Sequence, residues 1–398
     1  LKKPLPKSTR QAAPLPAAPR LTLIIILLTA FALRAHHLAG ASLQSDAATG
    51  LLRAWMAVAG ASNYALHFVS LLAGVLAVAL LQRLSSDLAR PSAVRRWIGL
   101  LSAALLATNA FHVSTSQEVS PFTWLLALGL LATLALWQLL YPHARAGRYT
   151  SVGWGATYTF ALAASLYLHG FGALIAVVHA LYVIGWVIAT RRWHVALHAL
   201  GWWAGALLLS APQLSRALDF FGGGQPAGSA ATAWGNFVAW SGSAAMPAPW
   251  DAIVPWLLLA LALVGLIWWV RTRPAGGLLL AALALLSFVA LLLAARNPAF
   301  DERIAVVVSA PLMALAAAGT IALEPRLWSR IAARRRLQGL PVATAAVAAI
   351  LLGANFAALA TLYSNSGPQM LDAVSEAGRV YSAYEKEDDL LAAVEAQP

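Results

Sequence analysis

The sequence contains no cysteine, only four lysines and only 15 acidic residues among 398 positions, and charged side chains make up just 11% of it. Without cysteine there is no disulfide framework, no thiolate zinc site and no thiol nucleophile, so any chemistry rests on carboxylates, imidazoles, hydroxyls and guanidiniums. With so few charges the chain cannot cover the surface of a soluble protein of this size. What it has instead is apolar: 60% of the residues are hydrophobic and the mean hydropathy is +0.71. That composition excludes a soluble multidomain enzyme and reads as an all-α polytopic membrane protein.

A membrane helix needs about 20 apolar residues, and eleven apolar runs of roughly that order suggest spans. They lie near Leu21 to Leu38, Tyr64 to Leu84, Ile98 to His112, Phe122 to Tyr141, Val152 to Leu168 and Phe171 to Ala189. The rest lie near Val195 to Leu214, Ala252 to Val270, Ala275 to Ala294, Ile304 to Leu323 and Pro341 to Tyr363. The net charge of +12 would suggest a nucleic-acid partner if it were spread over a soluble domain, but its placement says otherwise. With the N-terminus inside and the spans alternating, inner segments hold 20 of the 27 basic residues and 2 of the 15 acids. The basic excess is therefore a topological signal, with a cytoplasmic N-terminus and an outer-face C-terminus, and no nucleic acid is implied.

Residues 1–20 read as a disordered basic cytoplasmic arm, residues 21–363 as the membrane domain, and residues 364–398 as an acidic outer-face tail. Two outer loops are long enough to act. In residues 39–63, Ser45-Asp46 precedes a stretch that reads as a capped helix along the membrane surface. In residues 216–251, GGGQPAG gives a hinge beside Trp234, Trp240 and Trp250, suited to a lid over an external site. That loop and the tail are the surfaces available to a protein partner.

Ionisable residues at span mouths are the informative ones, because a charge at membrane depth is costly. Asp46, Glu118 and the run Asp301, Glu302, Arg303 all fall on the outer side, and the spans lack the array of acids and lysines that a midplane charge relay would need. His36, His37, His112 and His169 lie near the same outer face; His194 and His198, four apart, lack a third metal ligand. Gly201 and Gly205 have the GxxxG spacing of close helix packing.

Four runs together carry a family resemblance. LRAHHLAGASLQSDAATG (Leu33 to Gly50) resembles the first-loop motif of the GT-C membrane glycosyltransferases, and STSQEVSPFTWLLAL (Ser114 to Leu128) their second outer-loop signature. LYLHGFGALIAVVHALYVI (Leu166 to Ile184) resembles the turn between two spans of that family, and FDERIAVVVSAPLMALAAAG (Phe300 to Gly319) its late arginine and apolar helix. The order of the four is the family's, and the branch they are most similar to is the protein-mannosyltransferase-like one (glycosyltransferase family 39-like).

The resemblance implies an inverting transferase of a prokaryotic inner membrane. It would take a sugar from a polyprenyl-phosphate carrier in the lipid and pass it to an acceptor on the outer, periplasmic face. On that reading Asp46 and Glu118 are the catalytic carboxylates, and Arg303, His169, Arg34 and Gln117 bind substrate. A divalent metal is left open. The sequence departs from the family at two places: Asp46-Ala47 stands where an acidic pair is usual, and Glu118-Val119-Ser120 where an acidic residue is followed by alanine and arginine. Those losses give a second reading, a catalytically degenerate GT-C-fold protein serving as a structural subunit of a larger membrane complex. A transporter is the third.

Overall fold

The computed structural model describes residues 17–36, 38, 50–60, 62–89, 94–141, 148–213, 246, 248–294, 302–323 and 342–364. Within them the regular elements are all helical. In chain order they are α1 (Ala17–Ala35), α2 (Gly50–Ala59), α3 (Asn63–Leu88), α4 (Arg95–Thr108), α5 (Ala110–Gln117), α6 (Phe122–Leu140), α7 (Arg148–Leu168), α8 (Gly172–Thr190) and α9 (Trp193–Leu209). Then come α10 (Trp250–Thr272), α11 (Pro274–Ala294), a short 3-10 turn (Glu302–Ala305), α12 (Val306–Ala322) and α13 (Val342–Ser364). Asp46, Asp301, Trp234 and Trp240, most of the 216–251 loop, residues 1–16 and the tail beyond residue 364 lie outside the described residues.

Each of the eleven apolar runs contains a helix, but the third is broken. Among the described residues six helices, α3, α6, α8, α10, α13 and α12 with its preceding turn, are long and apolar enough to cross a membrane. The pair α4 and α5, bent by 59° at Asn109, would make a seventh. Among the others, α9 reaches only 17 residues. Asn109 makes the break local: its side-chain oxygen accepts the His112 N–H at 2.9 Å and so starts α5 on a new axis.

The helices alternate in direction, and contacts sort their termini into two ends. One end gathers the C-terminal ends of α1, α5 and α13 with the starts of α6, α8 and α12. At the other, Asp87 near the end of α3 accepts hydrogen bonds from Gln138 of α6 and Arg83, each at 2.8 Å, and Tyr182 of α8 donates to the Ala275 carbonyl at the start of α11. This second end carries Arg83, Arg95, Arg96, Arg191, Arg192, Arg271 and Arg273.

Helix α12 is the centre. Its apolar window is wholly buried, against 39% for α10 and for α13, which form the rim. Its run of small residues, Ala314, Ala316, Ala317, Ala318 and Gly319, lets neighbouring backbones approach closely. The tightest approach is to α10: a Cβ added at Gly319 would lie 1.9 Å from the Leu261 carbonyl oxygen, and one at Gly265 1.9 Å from that of Leu315. The GxxxG spacing of Gly201 and Gly205 does not serve this purpose. A Cβ at Gly201 meets nothing within 4 Å, and one at Gly205 only ordinary contact with Thr159, because that face of α9 is turned away from its neighbours.

A polar tie holds α6, α7 and α8 at mid-height. His179 is fully buried, with Nε2 3.0 Å from the Thr133 hydroxyl and Nδ1 3.3 Å from the Tyr158 hydroxyl. Thr133 gives its own proton to the Gly129 carbonyl at 2.7 Å, so the imidazole donates from Nε2 and accepts the tyrosine proton at Nδ1. A nearby cavity of about 20 Å³, lined by Leu126, Thr133, Ile175, Leu283 and Val307 among others, has room for one water-sized group and is too small for a sugar or an isoprene unit.

Gly319→Leu is expected to destabilise the protein by about 1–3 kcal/mol or prevent assembly, because the added atoms meet backbone that cannot turn aside. Gly201→Ala should leave stability unchanged. Thermal unfolding of the two variants in detergent, beside the unaltered chain, checks the contrast.

Candidate functional site

The end formed by α1, α5, α6, α8, α12 and α13 holds every sequence-predicted site residue that is described. Glu118 follows α5 directly in extended backbone (φ −93°, ψ 149°). Two residues on, the Ser120 N–H and the Ser70 hydroxyl of α3 approach at 3.4 Å, and Pro121 turns the chain into α6. Arg303 sits in the 3-10 turn that leads into α12. These two elements meet: Arg303 Nη1 donates to Glu118 Oε2 at 2.9 Å, with side chains 25% and 36% exposed, so the pair is open to a ligand rather than sealed in the core.

Aromatic groups frame the pair. The Arg303 guanidinium carbon lies 5.7 Å from the centroid of the Phe122 ring, within cation–π reach, and the His169 ring lies against Phe122 as well, centroids 5.6 Å apart. His169 Nδ1 accepts the Phe171 N–H at 3.1 Å, which places the hydrogen of the neutral imidazole on Nε2. Glu118, Arg303, Phe122 and His169 therefore form one chain of contacts drawn from three separate parts of the sequence.

Arg34 and Gln117, expected at the substrate, are placed differently. Arg34 is fully buried, and its guanidinium faces the protein: Nη1 donates to the Ala30 and Ala107 carbonyls at 2.9 and 3.1 Å, while Nη2 donates to Leu106 at 3.5 Å and to His112 Nδ1 at 2.5 Å. Gln117 Nε2 reaches back to the carbonyls of Leu33, Arg34 and His36 at 3.3, 3.2 and 2.7 Å. The Tyr363 hydroxyl also donates to the Leu33 carbonyl, and its ring meets His36 edge-on at 4.8 Å. Both residues thus serve backbone ends one step away from Glu118.

His112, Phe122 and Tyr363 join the cluster without a sequence signal of their own as a group; only His112 stands out in the sequence, as one of several histidines on this side. Room for the buried arginine comes from Gly74 of α3, where an added Cβ would lie 2.9 Å from Arg34 Nε and 2.4 Å from Ser116 Oγ.

Among the described residues no three histidine, aspartate or glutamate side chains gather closely enough to hold a metal ion. Glu118, the carboxylate of the described cluster, faces Arg303. At the opposite end, His198 Nε2 lies 3.2 Å from Trp202 Nε1, an N–H that can only donate, which turns that nitrogen to protein rather than to a metal shared with His194.

No protein-family model and no curated protein matches the sequence. Solved structures do match in fold. The apo oligosaccharyltransferase of Archaeoglobus fulgidus superposes with a TM-score of 0.56 at 12% identity, over 87% of this chain and 56% of that one. ArnT from Cupriavidus metallidurans superposes with a TM-score of 0.50, at 16% identity in the apo state and 15% bound to undecaprenyl phosphate, over 89% and 90% of this chain and 75% and 74% of that one. The chain thus spans little more than half the length of the oligosaccharyltransferase. At these identities the likeness establishes the fold, the GT-C membrane fold that both share.

A partly exposed ion pair contributes at most about 1 kcal/mol to stability. Glu118→Gln, which keeps the shape and removes the charge, is therefore expected to leave the unfolding temperature within a few degrees of the unaltered chain in the same detergent. A drop of ten degrees or more would show that the pair holds the fold together rather than standing ready for a ligand.

Proposed function

We propose that this chain transfers a sugar from a polyprenyl-phosphate carrier to an acceptor on the outer face of a prokaryotic inner membrane, with eleven spans, a cytoplasmic N-terminus and an outer C-terminus. The observation that carries the reading is the Arg303–Glu118 pair, half-open at a span mouth beside Phe122 and His169. The partly exposed Arg303 guanidinium, with the buried Arg34 behind it, offers a cation suited to a phosphate ester at headgroup depth. The likeness in fold to ArnT, solved with undecaprenyl phosphate bound, supports the same donor class. The arginine-rich opposite end supports the orientation, because basic residues collect on the cytoplasmic side.

In this reading the acceptor hydroxyl attacks the anomeric carbon, the bond from that carbon to the phosphate oxygen breaks with inversion, and the electron pair leaves with the carrier phosphate. Asp46 takes the hydroxyl proton as general base. Arg303 holds the phosphate, and its planar fork matches two phosphate oxygens in a way that lysine would not. Glu118 aims Arg303, and His169 offers an N–H to donor or acceptor.

Asp46→Asn should abolish transfer from a polyprenyl-phosphate sugar while leaving the unfolding temperature unchanged; undiminished turnover by the purified variant would remove Asp46 from the reaction. Arg303→Ala should weaken carrier-lipid binding about tenfold or more, the value of a lost charged hydrogen bond. Equal apparent affinity would sink that role. Native mass spectrometry of protein extracted gently from its own membrane tests the whole reading. A retained polyprenyl phosphate is the expected result, whereas stoichiometric foreign subunits without a carrier lipid would establish the structural-subunit reading in its place.

A further inference from the structure

We infer that Arg34 is a positioning residue: by capping the broken end of α4 and gripping His112 it fixes the angle at which α5 presents Glu118 to Arg303. A helix that stops inside a membrane domain leaves its last carbonyls without N–H partners, and in a lipid-bounded interior each unmet group costs several kcal/mol. The break at Asn109 does this to α4. Its orphaned carbonyls have named partners: Leu105 O takes the Asn355 side-chain N–H at 3.4 Å, Leu106 O takes Arg34 Nη2, and Ala107 O takes Arg34 Nη1. The cation also lies against the negative end of the α4 dipole, which favours it there.

The same guanidinium reaches across the bend. Nη2 donates to Nδ1 of His112, and the Ser116 hydroxyl one turn later donates to the His112 carbonyl at 2.5 Å, so the ring contact bears on the axis of α5. Gln117, the last residue of α5, returns the favour by capping the end of α1 on which Arg34 sits. The two short segments cap each other, and Glu118 is the next residue in the chain. Both terminal nitrogens of the Arg34 guanidinium are engaged with protein, and the whole side chain is fully buried, the unpartnered Nε included, so it acts on a ligand through Glu118 and not by touching it.

The geometric part of this inference stands on contacts alone; its kinetic part rests on the proposed transferase activity, and the test separates them. Because the chain has no cysteine, Ser114→Cys on α5 and Ile253→Cys on α10 can be spin-labelled as a pair with no background, and their distance distribution measured in detergent. Arg34→Met should broaden or shift that distribution. His112→Phe, a milder change that leaves the carbonyl caps in place, should shift it less, and it carries the test if the methionine variant fails to fold. An unchanged distribution in folded Arg34→Met, or in His112→Phe where that variant stands in, overturns the inference whatever the activity.

In transfer assays Arg34→Lys, which keeps the charge but not the fork, should lower kcat about tenfold or more while the apparent KM for the carrier lipid stays within twofold, since small misplacements of a working group are costly in rate. Adding Arg34→Lys to a Glu118→Gln background should cost little more. A raised KM with unchanged kcat would overturn the inference in favour of direct phosphate binding. A shifted distance in a chain whose unaltered form transfers no sugar would uphold the positioning role and refute the transferase reading.

Discussion

Backbone carbonyls released by a broken helix must find donors inside a structure that has no water to offer, and this constraint organises the site end of the molecule. Helix α4 stops at Thr108 and α5 starts afresh at Ala110. The donors that settle the released groups come from far along the chain: Arg34 from α1 and Asn355 from α13. Three segments that are distant in sequence are therefore pinned at one point. A lysine could not do this, because it carries one compact ammonium where the geometry calls for a fork reaching two carbonyls of α4, one of α1 and an imidazole.

Polarity is divided between the two ends. At the arginine-rich end, buried Asp87 is met by Gln138 and by the half-exposed Arg83, an arrangement that ties α3 to α6 and leaves the basic side chains facing outward. At the site end Glu118 and Arg303 pair in the open, while the Arg34 guanidinium is buried behind them. Between the two ends His179, Thr133 and Tyr158 form a tie whose polar groups satisfy one another.

Much of this was legible in the sequence because hydropathy reports burial directly. The eleven apolar runs locate the helices, and Glu118, His169 and Arg303, singled out as ionisable groups at span mouths, converge in space. The roles of Arg34 and Gln117 were not legible, because a charge or amide near a helix end looks the same whether it meets a ligand or a carbonyl. Nothing in the apolar run from Ile98 to His112 marks a 59° break, since Asn109 is a short polar residue in a stretch that hydropathy reads as continuous. Close glycine packing was visible as a spacing at Gly201 and Gly205, yet it is Gly265 and Gly319, on two different helices, that meet. Spacing within one helix says nothing about which face finds a partner.

The break also explains why an ion pair exists at all. Residues 95–117 as one straight helix would run roughly 34 Å at 1.5 Å per residue, and the last eight would continue along the α4 axis. Turning those eight residues by 59° carries the end of α5 roughly 10 Å to the side. A contact of 2.9 Å between Glu118 and Arg303 cannot survive a displacement of that size, since the two side chains are anchored on different helices. A straight span would bury its apolar length equally well and would release no carbonyls. The bend, with the buried cation it requires, is thus the structural condition for a carboxylate and a guanidinium from opposite halves of the chain to share one half-open site.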